Sequence, residues 1–172
     1  MATFPSDEAI ARSTALVQEL NGQSDRGVAI VGMAWIEEAL LTAIHAFLEK
    51  DKTAWERLFR KSGPLSSLSA KIDLARLLAM TSNAIHSDLH ILRDVRNEFA
   101  HSVLDKDHMP LTFQTPRIKD KCLALRCVKH EELTEPRHAF IRACAVLNSD
   151  FYMHEFFGQP LRDGGRVVVR GE

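Results

Sequence analysis

Arg96-Asn97-Glu98-Phe99-Ala100-His101 places a permanent cation, an amide and a titratable imidazole within six residues. An arginine can grip a phosphate through parallel N–H donors, and a histidine can take or give a proton near neutral pH. Together such groups could cleave RNA without a metal. His101 would take the proton from a ribose 2′-hydroxyl or return one to the leaving oxygen. Arg96 would stabilise the charge developing on the phosphate, and Asn97 would orient the histidine or bind the phosphate. The 2′-hydroxyl would also discriminate against DNA. One chain offers one such histidine, so combined acid and base work would favour a homodimer pairing two motifs across a cleft.

The same side chains can close a helix end with no chemistry at all. Asn83 to Ser102 reads as an amphipathic helix with Ile85, Leu89, Leu92, Phe99 and Val103 on its apolar face. Arg96 falls on that stripe, where a charge needs a partner, and Glu37, Glu38 and Asp25 are the candidate acids. Asn97 and His101 share a face, whereas Arg96 and His101 lie about 140° apart on a regular helix. In this structural reading Arg96 makes an ion pair inside the bundle, and His101 and Asn97 bond helix-end carbonyls or loop backbone.

Other chemistries are weaker. His86 and His90 have the i,i+4 spacing of metal ligands, but no third ligand sits at a characteristic distance along the chain. No metal and no cofactor are therefore expected. The chain holds no Walker loop, GxGxxG or GxSxG, and Ser66, Ser67 and Ser69 suit a helix start better than a nucleophile.

A chain of 172 residues, 45% hydrophobic and 26% charged, suits one folded domain. Its formal net charge of -1 and lack of a basic stripe argue against strong direct DNA binding, while leaving room for RNA in a local cleft. The N-terminus has no basic region followed by an apolar run, and Glu37, Glu38 and His45 interrupt the longest apolar stretch. Cys122, Cys127 and Cys144 are odd in number, have no CxxC spacing and read as small buried residues. A cytoplasmic protein without membrane contact is expected.

The apolar pattern is helical nearly throughout. Ser6-Asp7-Glu8 can cap a first helix, Ser24 or Asp25 a long second one, and Ser66 or Ser67 another after Gly63-Pro64. Gly27 and Gly32 inside the second helix predict close approach by a neighbouring helix. Met109-Pro110 and Thr115-Pro116 break the pattern, and residues 122–128 could be extended. The prediction is an all-α, single-domain bundle of about five to seven helices over 1–158. A long loop or short hairpin at about 103–134 precedes a last helix at about 136–156, and 159–172 form a tail.

Three blocks resemble the mannitol operon repressor (MltR) family. They are Asp25-Arg26-Gly27 followed by Glu37-Glu38-Ala39-Leu40, then Gly63-Pro64-Leu65-Ser66-Ser67-Leu68-Ser69-Ala70-Lys71-Ile72, then Asp88 through His101. Lys71 stands where the family pattern leads one to expect arginine. The resemblance, within residues 24–103, implies an all-helical bacterial transcriptional regulator without a recognised DNA reader. Such a protein acts through a protein partner or self-association, as a homodimer. The third block is also similar to the Arg-Asn-x-x-x-His motif of the HEPN superfamily, which implies the endoribonuclease roles above for Arg96, Asn97 and His101. The leading expectation is a regulator working through protein contacts. A metal-independent endoribonuclease (toxin or defence component) and a non-catalytic helical interaction module are the alternatives.

Overall fold

The computed structural model describes residues 5–48, 51–60, 62–106 and 108–157, so the expected tail at 159–172 lies outside them. Helix α1 (Pro5–Asn21) carries Asp7 and Glu8 in its first turn, where carboxylates complement the helix dipole. Helix α2 (Asp25–Phe47) starts at Ser24, whose side chain accepts a hydrogen bond from the Gly27 amide. Helix α3 (Lys52–Phe59) is capped by Asp51 and α4 (Leu68–Leu77) by Ser67. Helix α5 (Asn83–His101) starts on a Ser82 cap. Helices α6 (Pro116–Leu123) and α7 (Pro136–Phe157) follow, with a single 3-10 turn at Lys129–Glu131 between them.

All seven helices among the described residues serve one core. Helix α2 runs through its centre, burying Val28, Met33, Ile36, Leu40 and Ile44, and packs chiefly on α7 and α5. By length and mean hydropathy (1.6) α2 could span a membrane, yet half of that stretch is buried inside the bundle. Its place is that of a core helix. Gly32 explains how α7 comes so close. A Cβ there would lie 3.1 Å from Cys144 Sγ and 3.2 Å from a ring carbon of Phe140. The same expectation fails at Gly27, whose nearest atoms belong to the side chain of Gln23 on the preceding turn.

The region after α5 differs from its sequence reading. Residues 122–128 are not extended: α6 ends at Leu123, and the chain turns toward the 3-10 segment. Pro116, read as a breaker, occupies the first helical turn, where its missing N–H costs nothing. Ile118, Cys122, Leu125 and Val128 are all buried, at steps of four, three and three. That is a helical stripe continued into a turn. The only β pairing among the described residues is one bridge, Leu104 with Pro110, which closes a short loop after α5.

Phe113 fastens this loop to the core. It is 1% exposed and sits between Phe99 of α5 and Phe140 of α7, with ring centres 5.1 and 5.3 Å away. Tilted contacts of this kind add about 0.5–1.5 kcal/mol each to the burial of the rings. The insertion is therefore a structural strap.

Candidate functional site

The Arg96–His101 run forms the last two turns of α5. Phe99 within it and Val95 just before it are buried, so Arg96 lies on the flank of the stripe and is half-buried. Val103, expected on the apolar face, is past the helix end and 71% exposed. The Arg96 guanidinium donates to Asn97 Oδ1 at 2.9 Å. His101 is the last helical residue and is exposed.

Of the acids expected as partners for Arg96, Glu37 and Asp25 are engaged elsewhere. Glu37 accepts from Lys71 Nζ at 2.6 Å, tying α2 to α4. Asp25 accepts from Arg137 at 2.6 Å and from the Phe113 amide at 2.9 Å. Glu38 is exposed. The expected ion pair of Arg96 with these residues is thus replaced by an arginine–amide contact within the helix. The physical reason is position: one step around from Val95, the side chain reaches the surface and has no need of a buried acid.

The helix end itself is held by a residue that spacing did not single out. Arg26, in the first turn of α2, donates one guanidinium nitrogen to the Phe99 carbonyl and the other to the Ser102 carbonyl at 2.6 Å. A helix leaves its last carbonyls without intrahelical donors, and a cation there also meets the negative end of the dipole. Arg26 supplies both. Its neighbour Asp25 holds the loop and α7, so two adjacent residues secure three parts of the chain. The sequence signal was present in the Asp25-Arg26-Gly27 block, but not its geometry.

Glu98 anchors the outer side of the same turn, accepting from Lys121 Nζ at 2.7 Å and from Arg117 Nε, both on α6. Partial burial pushes its carboxyl up, but the two cations outweigh that and hold it below the usual range. Further up α5, Asp88 is fully buried and accepts from the Arg126 and Cys127 amides at 2.9 and 2.7 Å. Burial raises its pKa despite those bonds. Arg93 reaches Asp94 and also Ser69 Oγ on α4, both at 2.7 Å.

No protein-family model matches the chain, and no curated protein matches it. A chain of the X-ray structure of the MtlR–HPr complex from Escherichia coli superposes with a TM-score of 0.68 at 20% identity, over 83% of this chain and 99% of that one.

The fold is MtlR-like.

Within this MtlR-like bundle the conspicuous exposed apolar surface beside the motif is the loop after α5. Val103, Leu104 and Met109 are 71%, 45% and 61% exposed, and they flank the exposed His101 and His108. The cysteines contribute no reactive thiol. Burial pushes Cys122 up to about 12 and raises Cys127 and Cys144 as well, so all three are protonated thiols at neutral pH. Helices α4 and α5 bring Asp73 together with His86 and His90, the other group with metal-binding chemistry.

Proposed function

We propose that this chain is a regulatory protein, of the transcriptional-regulator type its sequence blocks resemble, that works by binding a protein partner rather than by reading DNA directly. The observation that carries the reading is the 0.68 TM-score to a chain of a complex in which MtlR is bound to HPr. The partner class it favours is HPr or a protein like it. Three further features support protein contact. The net charge of -1 gives no general attraction for a polyanion. Arg96 is turned onto Asn97. The exposed Val103, Leu104 and Met109 offer apolar surface next to a helix end that Arg26 and Glu98 hold rigid.

Calorimetric titration with Escherichia coli HPr as the probe tests this directly. One-to-one binding is expected, weakened at least about tenfold by Val103→Glu or Met109→Glu, because a charge would be desolvated at the contact. Absence of heat at high micromolar concentration in wild type removes the HPr assignment. Unchanged binding in both variants removes the loop from the interface.

A second reading draws on one observation, the exposure of His101 at the end of α5. It is RNA cleavage by Arg96, Asn97 and His101 in a homodimer. An RNA-cleavage assay in EDTA, comparing wild type with His101→Ala, separates the two: activity lost in a folded variant establishes cleavage, and an inactive wild type on varied RNAs rejects it.

A further inference from the structure

Helix α4 and helix α5 are joined by a tight turn, and their facing sides bring three potential ligands together. Asp73 on α4 approaches His86 and His90, which stand four apart on α5. Asp73 Oδ1 is 2.9 Å from His86 Nε2 and 3.1 Å from His90 Nε2, and the two Nε2 atoms are 3.2 Å from each other. The imidazole rings are nearly perpendicular, with centres 4.6 Å apart.

Protons satisfy this triangle in one arrangement, with hydrogen on both Nε2 atoms, which then donate side by side to Asp73 Oδ1. If only one carries hydrogen, the other turns a lone pair toward a carboxylate oxygen. The same three atoms also converge as lone-pair donors once the Nε2 atoms are unprotonated. A cation at the centre makes all three contacts attractive, because each atom then points a lone pair at it.

The dimensions suit a particular class of ion. Zinc–nitrogen bonds of about 2.0–2.1 Å in a tetrahedron place neighbouring ligand atoms about 3.3 Å apart. The observed edges of 2.9 to 3.2 Å fall just short of that value, so a movement of a few tenths of an ångström admits the ion. Two imidazoles and one carboxylate favour zinc or a similar transition ion over magnesium or calcium, which prefer oxygen-only shells. The side chains are partly exposed (29% for His86, 27% for His90, 56% for Asp73), so the fourth position faces solvent and is open to water.

We propose that Asp73, His86 and His90 form a binding site for one divalent transition-metal ion that clips α4 to α5. The sequence alone offered only the histidine pair. The third ligand comes from another helix, thirteen residues before His86, and is brought in by the turn at 78–82.

The experiment uses untagged full-length protein and Co²⁺ as a spectroscopic stand-in for Zn²⁺. One equivalent of Co²⁺ should give the intense visible bands of a four-coordinate site, and Zn²⁺ should displace them and raise the melting temperature. Because loss of a mere outer-shell partner costs about 10–100-fold in affinity, His90→Ala and Asp73→Asn should each weaken binding at least about tenfold. His138→Ala, an exposed histidine on α7, should bind as wild type does. All three substitutions are at the surface, and circular dichroism of the metal-free proteins checks that they fold. The proposal is overturned if wild type shows no stoichiometric Co²⁺ bands, or if His90→Ala and Asp73→Asn bind as tightly as wild type.

Discussion

Replacing Arg26 tests the claim that α2 closes the end of α5. In Arg26→Ala the Phe99 and Ser102 carbonyls lose their guanidinium donors. Hydrogen bonds to charged groups contribute about 1.5–3 kcal/mol each when buried. Both bonds here are part-buried, and water can replace some of what is lost, so the cost falls below the combined range of about 3–6 kcal/mol, at about 2–3 kcal/mol. For a chain of this size that corresponds to a fall in melting temperature of about 5–10 °C. Urea denaturation measures the energy, and hydrogen exchange at the amides of residues 99–103 locates it. Arg26→Lys keeps the charge near the helix dipole but cannot span two carbonyls, so it should recover about half the loss. The reasoning is refuted if Arg26→Ala lies within about 0.5 kcal/mol of wild type, the range of ordinary surface substitutions. Full rescue by lysine would show that charge matters and the fork does not.

Three other perturbations have defined outcomes. Gly32→Val should cost about 2 kcal/mol or more in urea denaturation, since its side chain would press on Cys144 and Phe140. Glu98→Gln removes the charge shared by Arg117 and Lys121, and should increase exchange in α6 while changing global stability by less than about 2 kcal/mol. His154 is buried, its Nε2 has no hydrogen-bond partner, and burial lowers its pKa from the usual 6.5. A depressed histidine binds fewer protons folded than unfolded, so stability should fall as pH drops below about 6.5 toward the folded value. His154→Phe should flatten that part of the stability–pH curve, and an unchanged slope would remove His154 as its source.

The helices and most of their starts were legible because they depend on local chemistry. Ser24, Ser67 and Pro136 each begin a helix as their side chains favour. The errors came where one local signal has two meanings. Pro116 ends helices in mid-chain but opens them at the first turn, and it opens α6. In the motif, periodicity put Arg96 on the buried stripe, whereas the face turns through Val95 and leaves the arginine beside it. Tertiary partners were the least accessible. Lys71 with Glu37, Asp25 with Arg137, and Asp73 with the two histidines are separated by thirteen to 112 residues, and a single sequence carries no register between helices.

The paired duties of Asp25 and Arg26 also bear on the order in which the molecule assembles. Arg26 waits for carbonyls 73 and 76 residues later, and Asp25 for a guanidinium 112 residues later. Closing loops that long is slow compared with forming the helices themselves. During synthesis the Asp25–Arg137 pair cannot form until Arg137 has left the ribosome, although α2 through α5 are already present. Substitutions at Asp25 or Arg137 should then speed unfolding and leave the folding rate nearly unchanged, the behaviour of a contact made after the transition state. The first turn of α2 is in this sense the last knot tied.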